Sequence, residues 1–503
     1  MYMYKKKTLA RPILTAAMLS TVLTTTACAP VKDAQLSIKN TFANEDPCSN
    51  NAKNVGIVAG AVLGGIIANK LGDDVAASVM GVAAGAAIGG LIGHDMDNRR
   101  CELSKISKKY KVPIQSQPIK LAEAGINHKK SKSYKKDDVL GLKVNLQDTG
   151  QQFITGSSQL TPQAKEYFTR IAQSYNRNDS KNKNAVSMVK NRQILIIGHT
   201  DDVGDSNSNA VLAEKRALAV AKIFKKQGIS SANIHYQGAG ETQPIADNRT
   251  AEGRIKNRRA EIIDLPDSKA LYAYLQNRKP VVAYYRPKVG QVNTSPKINK
   301  VKTSINKWQF QGEKLTASNA SVSVGSVMLK KDTMAFMSAL GISSAHASSD
   351  VVYSNSCSVD KHRVSGNVKS LKTGKSMKLK TKDYLPGLNN TVWVGNAGKH
   401  TFALSGVAVP RDASNGIKNP KVSIYKEAKL TKKSKAAYNS VVKANAYHGK
   451  DGVLYRVFFD EKSPVKCVDL VMPNKAPFKA QTGYLIYPDN QNQFVTEFKP
   501  HKI

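Results

Sequence analysis

The sequence predicts a multidomain protein whose central α/β domain is preceded by a glycine-rich helical hairpin and followed by a mainly β module. Three patterns lead to this prediction. Short apolar runs alternate with helix-period segments across residues 139–266, glycines recur at every fourth position within residues 56–93, and short alternating segments fill residues 307–503. Because 503 residues exceed what a single hydrophobic core supports, three or four domains are expected.

Residues 1–27 are predicted to be a secretory signal, with a charged region followed by an apolar stretch from Ile13 to Leu23. The segment Thr25-Thr26-Ala27-Cys28 resembles a bacterial lipobox, although leucine is more usual at its first position. The resemblance implies that Cys28 carries acyl chains, that residues 28–51 form a lipidated tether, and that the protein faces the periplasm from the cell outer membrane. The alternative is an ordinary cleaved signal or an uncleaved anchor.

The five cysteines are consistent with an oxidising compartment. With Cys28 assigned to lipid, an even four remain: Cys48 and Cys101 bracket one segment, and Cys357 and Cys467 lie in the last third. The simplest pairing is one disulfide in each region. Neither pair has the CxxC spacing of a zinc or redox site, so no metal and no cofactor are predicted.

Residues 52–96 are predicted to be a helical hairpin, because almost every residue between Val55 and Gly93 is small or apolar and the glycines share one helix face. These glycines are Gly56, Gly60, Gly64, Gly81, Gly85, Gly89 and Gly93, with a turn at residues 71–74 between the two groups. The pattern predicts two helices with their glycine faces in contact, and it resembles the glycine-zipper two-helix domain of envelope lipoproteins. Each arm of roughly 16 residues reaches about 24 Å, short of a typical bilayer core of about 30 Å. The hairpin is therefore expected to enter a thin outer membrane, to lie at its surface or to associate with other copies through the glycines.

Two lysine-rich stretches are interpreted as linkers. Residues 97–138 contain three Lys-Lys pairs and few apolar residues, and they are expected to hold the α/β domain away from the membrane. Residues 267–306 contain Pro280, Pro287 and Pro296 among lysines, which is typical of a semi-extended connector. A short helix over residues 268–276 is expected within this second linker.

The α/β prediction for residues 139–266 rests on the order of their segments. Residues 194–197 form a short apolar run before Gly198, which is typical of a buried strand. A helix-period segment follows and ends at Gly228, and further strands are predicted at residues 234–237 and 260–265. Strands that alternate with helices favour a sandwich in which helices pack on one sheet.

The same region resembles the OmpA C-terminal family. Three stretches carry the resemblance: ILIIGHTDDVGDSNSNAVLAEKRALAVAKIFKKQGI, IHYQGAGETQPIADN and EGRIKNRRAEII, which begin at Ile194, Ile234 and Glu252. It extends back to Val139, where LKVNLQDTGQQFITGSSQLTPQAKEYFTRIAQSY is similar to the family's first strand, Phe-rich loop and first helix. The resemblance implies a βαβαβ-type fold over residues 139–266 and non-covalent binding of peptidoglycan.

The resemblance also implies a binding site at the loop after residues 194–197 and on the helix that follows. Asp201 in HTDDVG and Arg216 in AEKRALAV match the residues that hold the free end of diaminopimelate in the peptidoglycan stem peptide. That end is a zwitterion, so a guanidinium can bind its carboxylate while a carboxylate accepts from its ammonium. Further cleft positions of the family match Asn209, Thr200, Leu212, Asn257, Arg258 and Arg259, and His199 is expected to be structural. Taken alone, Arg216 is equally able to pair with Glu214 on the helix surface.

Residues 307–503 are predicted to form a β sandwich or barrel and carry no motif of a recognised family. Alternating segments are predicted at residues 321–328, 391–394, 401–409, 422–425, 453–459, 465–472 and 483–487, with one helix-like piece at 334–340. Thr373-Gly374-Lys375-Ser376 lacks the earlier glycine of a phosphate-binding loop, and neither HExxH nor GxSxG occurs. No catalytic residue is predicted.

The net charge of +39, from 76 Lys and Arg against 37 Asp and Glu, predicts affinity for polyanions. An envelope lipoprotein meets the phosphates of lipopolysaccharide and anionic lipids first. No helix-turn-helix, aromatic RNA-binding strand or Cys/His finger accompanies the charge, so sequence-specific binding of nucleic acid is not expected.

The sequence thus predicts a non-enzymatic outer-membrane lipoprotein that anchors the membrane to diaminopimelate-type peptidoglycan. One alternative is an anchoring subunit of an envelope-spanning secretion or motility machine, in which residues 307–503 bind partner proteins. A second is a wall hydrolase within residues 307–503. Partners that co-purify in mild detergent would favour the first, and release of muropeptides would favour the second.

Overall fold

The computed structural model describes residues 48, 95–120, 139–150, 152–154, 156–176, 191–278, 308–315, 321–323, 351–353, 360–378, 383–411, 417–448, 452–473, 482–489 and 492–503. The predicted signal segment with Cys28, the glycine-rich hairpin up to residue 94, the helix-like piece at 334–340 and Cys357 lie outside these residues. Within them, no helix combines the length and the apolar character needed to cross a bilayer.

Five helices and nineteen strands organise the described chain. The helices are α1 (residues 95–110), α2 (Pro162–Tyr175), α3 (Ser206–Lys226), α4 (Ala251–Asn257) and α5 (Ser268–Asn277). The strands are β1 (Ile114–Lys120), β2 (Val139–Gln147), β3 (Gln193–His199), β4 (Ile234–Gly240), β5 (Arg259–Leu265), β6 (Glu313–Lys314), β7 (Ser321–Ser323), β8 (Val351–Tyr353), β9 (Lys369–Ser370), β10 (Thr391–Ala397), β11 (His400–Val407), β12 (Lys421–Tyr425), β13 (Tyr438–Val441), β14 (Lys443–His448), β15 (Gly452–Phe458), β16 (Cys467–Pro473), β17 (Thr482–Asp489), β18 (Asn492–Phe498) and β19 (His501–Lys502).

The predicted α/β domain is confirmed as a mixed sheet covered by helices. Its six strands lie in the order β1-β2-β5-β3-β4-β9, in which β3 and β4 are parallel and the other neighbours are antiparallel. Helices α1, α2 and α3 pack on one face against Val144, Ile196 and Ile262. Helix α5 packs on the opposite face against Leu195 and Ile263. Because successive strand residues point to opposite faces, a strand covered on both sides is apolar along its interior, as residues 194–197 of β3 are.

The start of the domain differs from the predicted boundary at residue 139. Strand β1 and all but the first two residues of α1 fall within the predicted linker 97–138, yet α1 buries Leu103, Ile106 and Tyr110 in the domain core, and β1 pairs with β2. Arg99 is also buried, where it pairs with Asp264 of β5. The apolar residues of α1 share one face at helical spacing, and the intervening lysines conceal this pattern in composition. Helix α5, at the start of the predicted linker 267–306, is part of the same domain.

The predicted Cys48–Cys101 disulfide is confirmed, with the two Cα atoms 4.5 Å apart. It ties α1 to a residue 53 positions earlier in the chain. Cys467 of β16 is also disulfide-bonded, and its pairing with Cys357 stays a prediction because Cys357 lies outside the described residues.

Residues 307–503 contain the predicted β-rich module. A five-stranded sheet has the order β13-β12-β11-β10-β19, and a six-stranded sheet has the order β14-β15-β16-β17-β18-β6. The two sheets share one apolar core, to which Trp393 and Phe402 contribute from the first and Tyr455 and Leu485 from the second. All seven predicted segments coincide at least in part with strands. The strands β6, β8, β9, β13, β14, β18 and β19 were not predicted.

Residues 360–378, here called the strap, connect this module to the α/β domain. Within the strap, β9 pairs with β4 at the edge of the mixed sheet. The amide of Gly366 donates to the carbonyl of Gly238 at 2.8 Å, and that of Leu371 donates to the carbonyl of Ile234 at 2.9 Å. Strand addition at an open edge satisfies backbone groups that would otherwise be exposed.

Candidate functional site

Two glycines determine how closely α3 approaches the sheet. A Cβ atom on Gly198 of β3 would lie 2.2 Å from the carbonyl oxygen of Ala213, and one on Gly238 of β4 would lie 2.3 Å from that of Ala210. Any side chain there would push the helix outward. The glycines therefore allow the backbone of α3 to rest directly on β3 and β4, which brings the loop of residues 200–205 and Arg216 to the same end of the sheet.

The loop of residues 200–205 connects β3 to α3 and carries Asp201. Its first amide, that of Thr200, donates to the carbonyl of Gly240 at 3.0 Å. At its end Asp205 caps α3 by accepting from the amide of Ser208 at 2.9 Å. The hydroxyl of Thr200 is buried and has no hydrogen-bond partner within the described residues. A buried hydroxyl in this state is a group that a ligand can satisfy.

Arg216 lies on α3 and is held by the loop between β2 and α2. Its guanidinium carbon is 4.7 Å from the ring centre of Phe153, and its Nε donates to the carbonyl of Ser157 at 3.1 Å. Its Nη1 is 3.7 Å from Oδ2 of Asp148. Burial lowers the pKa of Arg216, and the nearby Arg258 adds to this, while Asp148 and Asp201 oppose it. Within the described residues Nη2 of Arg216 has no hydrogen-bond partner, so part of the guanidinium is available to an anion.

Asp201 faces a second arginine rather than the first. Its Oδ2 is 2.7 Å from Nη1 of Arg258, and its Oδ1 accepts from the amide of Val203 at 3.3 Å. The side chains of Asp201 and Arg258 are 16% and 32% exposed, so this ion pair is open to exchange with solvent or ligand. Two carboxylates and two guanidinium groups thus lie together at the end of β3: those of Asp148, Asp201, Arg216 and Arg258.

Asn209 supports the loop from α3. Its Nδ2 donates to the carbonyl of Val203 at 3.1 Å and to Oε2 of Glu241 at 2.8 Å. Leu212, one turn further along α3, is half-buried. Asn209 therefore lies beside the loop of residues 200–205, where its amide holds backbone and Glu241.

Two of the predicted residues are committed to internal contacts. Asn257 is 1% exposed, accepts from the amides of Ile245 and Ala246, and donates to the carbonyl of Ala246 and to Asn248. Arg259 is also buried and donates to the carbonyls of Asn257 and Gln243. Of the two adjacent arginines, the structure therefore places Arg258, and not Arg259, against Asp201.

His199 lies beneath the site, as a structural residue would. Its Nε2 is 3.4 Å from Oε2 of Glu261 on the neighbouring strand β5. Burial, assisted by Arg259, lowers the pKa of His199 to about 4. Although burial opposes it, the bond from His199 and the charge of Arg259 hold the pKa of Glu261 well below its usual range. At neutral pH this is a neutral histidine beside an ionised glutamate.

Sequence reasoning did not identify Asp148, Phe153 and Glu241 as site residues. Asp148 follows β2 directly and Glu241 follows β4 directly, where the end of a sheet exposes side chains, and Phe153 lies in the loop between β2 and α2. None of the three residues belongs to a sequence motif that indicates a binding site. Within the described part of the chain, no group of His, Cys, Asp and Glu side chains is arranged to hold a metal ion.

The α/β domain is similar in sequence to several known proteins. Residues 152–258 match the model of the OmpA family. Outer-membrane lipoprotein YfiB of Pseudomonas aeruginosa is 35% identical over 126 residues, which cover 24% of this chain and 68% of that protein. Probable lipoprotein YiaD of Escherichia coli is 44% identical over 69 residues, which cover 14% of this chain and 32% of that protein. A solved structure of the cell wall anchor of the T6SS from Pseudomonas aeruginosa aligns over 33% of this chain and 95% of that chain, with 22% identity and a TM-score of 0.24.

Proposed function

The chain belongs to the OmpA family, and from this premise we propose that it anchors the outer membrane to peptidoglycan by binding the free end of diaminopimelate without a covalent bond. The observation that carries the proposal is the cluster of Asp148, Asp201, Arg216 and Arg258 at the end of β3. Two carboxylates and two guanidinium groups complement a ligand end that bears one ammonium and one carboxylate.

Binding requires an exchange of partners within this cluster. The guanidinium of Arg216 is fixed by Phe153 and Ser157 before ligand arrives, so it can receive the ligand carboxylate with little loss of side-chain freedom. The ligand ammonium then displaces Arg258 from Asp201, because the pair between these two side chains is partly exposed and therefore weak. Arg258, once displaced, is itself able to bind the ligand carboxylate.

Pull-down of the full-length chain by purified peptidoglycan tests this proposal. Asp201→Ala and Arg216→Ala are each expected to weaken binding to diaminopimelate-type sacculi by about 2 to 5 kcal/mol, because each leaves one charge of the ligand unpaired. Sacculi with lysine in place of diaminopimelate are the chemical control, since lysine keeps the ammonium and lacks the second carboxylate. Equal sedimentation of both variants and the parent, or equal binding to both wall types, would contradict the assignment.

The membrane end of the anchor is proposed to be Cys28, outside the described residues. YfiB is named an outer-membrane lipoprotein, and Thr25-Thr26-Ala27-Cys28 is similar to a lipobox. Cys28→Ala is expected to leave an unprocessed precursor that takes up no labelled palmitate. Normal processing of that variant would assign cleavage to an ordinary signal peptidase.

The glycine-rich hairpin of residues 52–96 is proposed to assist the anchor by self-association or by entering the membrane.

A lysine-rich hairpin supports polyanions as a second class of partner. Between β12 and β13, residues 426–437 read KEAKLTKKSKAA, with a single acidic residue. Lys426, Lys429, Lys432, Lys433 and Lys435 are all exposed. Within the described residues none of these lysines forms an ion pair. Such a concentration of unpaired charge is suited to the phosphates of lipopolysaccharide.

A further inference from the structure

The loop of residues 200–205 is held from two directions. Asn209 of α3 donates Nδ2 to the carbonyls of Asp201 at 3.4 Å and Val203 at 3.1 Å. Lys361 of the strap donates Nζ to the carbonyls of Asp202 at 2.7 Å and Gly204 at 3.3 Å. Four consecutive carbonyls are therefore bonded in alternation to one side chain or the other, and one of these side chains comes from outside the α/β domain.

The two supporting side chains meet at Glu241, which is 1% exposed. Nδ2 of Asn209 is 2.8 Å from Oε2 of Glu241, and Nζ of Lys361 is 3.0 Å from Oε1. Burial raises the pKa of Glu241, and the bonds from Asn209 and Lys361 oppose this shift. Burying a carboxylate without a cation costs free energy. Glu241 therefore favours the position of the Lys361 ammonium beside its carboxylate.

The backbone of Lys361 belongs to the β module. Its carbonyl accepts from Nδ2 of Asn445 on β14 at 2.9 Å. The preceding residue, Asp360, is buried, with Oδ2 3.1 Å from Nη1 of Arg456 on β15. Arg363 donates its amide to Oδ1 of Asn445 at 3.0 Å. The first residues of the strap are thus bonded to side chains of β14 and β15, immediately before the strap reaches the α/β domain.

We propose that Lys361 is a positioning residue through which the β module sets the conformation of the loop of residues 200–205, and with it the direction in which Asp201 meets the ligand. This inference rests on the proposed binding of diaminopimelate. The loop needs such support, because Val203 is 64% exposed and Gly204 adopts a φ of +89°, so few contacts of its own fix its shape. A loop that is ordered before the ligand arrives loses less freedom on binding.

The test uses the full-length chain with Lys361→Met, and Lys369→Met as the matched control. Lys369 is also a strap lysine that pairs across to α3, with Nζ 2.6 Å from Oε1 of Glu214, but it does not contact the loop. Lys361→Met is expected to weaken binding to diaminopimelate-type sacculi about tenfold, the equivalent of one charge-assisted hydrogen bond. It should also accelerate hydrogen exchange of the amides of residues 201–205. Lys369→Met should do neither, and Lys361→Arg should restore part of both.

A second variant separates positioning from damage caused by an unpaired buried carboxylate. Lys361→Met combined with Glu241→Gln removes both charges and keeps a hydrogen-bond acceptor for Asn209, so a loop effect that persists is due to the lost support. Equal exchange and affinity for Lys361→Met and Lys369→Met would overturn the inference. If the parent and Asp201→Ala bind sacculi equally, the proposed function fails, while the exchange of residues 201–205 still decides whether Lys361 orders the loop.

Discussion

Arg456 and Asp469 form a fully buried, two-bond ion pair across β15 and β16. Nε of Arg456 is 2.8 Å from Oδ1 of Asp469, and Nη2 is 2.7 Å from Oδ2. Nη1 of the same guanidinium lies 3.1 Å from Oδ2 of Asp360, whose Oδ1 also pairs with Arg363 at 2.5 Å. Since Asp360 begins the strap, the core of the β module and the attachment of the α/β domain depend on the same cation.

The first prediction follows from that arrangement. Arg456→Met should destabilise the β module by about 3 to 5 kcal/mol, because it leaves Asp469 buried without a cation, while Asp360 keeps its pair with Arg363. Chemical denaturation followed by circular dichroism would measure the loss. Lys466→Met, at an exposed position just before β16, is the control and should change stability by less than about 0.5 kcal/mol. Similar midpoints for the two variants would show that the buried pair contributes little.

How far the sequence predicts the fold depends on the signal that each element carries. Strand β3 and helix α3 are predicted because an apolar run and a helical period identify them directly. Helix α1 is not, because charged residues outnumber apolar ones in its sequence, although Leu103, Ile106 and Tyr110 fill the core. The pairing of β9 with β4 is not predictable either, since two strand residues in a Gly- and Lys-rich segment carry no periodicity.

The site shows the same limit. A resemblance to a family selects Asp201, Arg216 and Asn257 by position, but it does not tell which of them are free to meet a ligand. That distinction depends on hydrogen bonds made after folding: Asn257 has bonded partners for its whole amide, whereas Arg216 keeps one nitrogen without a partner. The contact of Lys361 with the loop of residues 200–205 is not predictable from the sequence, because it joins residues 159 positions apart.

The second prediction separates these roles. Asn257→Ala should lower stability by about 2 to 4 kcal/mol, because it leaves the half-buried amides of Ile245 and Ala246 without their acceptor. Its affinity for sacculi should be retained at a temperature where the variant is folded. Asp201→Ala is the counterpart and should lose affinity while keeping its melting temperature. A variant of Asn257 that melts normally and binds poorly would place this residue in direct contact with ligand.

The third prediction concerns acid. Burial lowers the pKa of His199 and of His235 to about 4, below the usual value of about 6.5 for an unfolded chain. Between these values the unfolded chain binds more protons, so stability is full above about pH 6.5 and falls as the pH decreases toward 4. Each histidine should contribute up to about 3 kcal/mol to this loss.

Thermal melts between pH 7.5 and 4.5 would measure the effect. His235→Gln keeps a donor for Oε1 of Gln193, which lies 3.0 Å from Nε2 of His235, and removes the titrating group. The variant should therefore melt with a weaker dependence on pH than the parent. His501→Gln, at an exposed position, is the control, and equal slopes for all three proteins would assign acid sensitivity to other groups.

The last prediction tests the lysine-rich hairpin of residues 426–437. Replacing Lys429, Lys432 and Lys433 with Gln should weaken binding to lipopolysaccharide micelles, because it removes three exposed charges that lie close together. The same change at Lys222, Lys225 and Lys226, which are exposed on α3, alters the net charge equally and is the control. Binding by the parent should weaken as salt rises, since exposed charges are screened over about 10 Å at 0.1 M ionic strength. If both triple variants bind equally weakly, the net charge of the chain, and not this hairpin, determines the interaction.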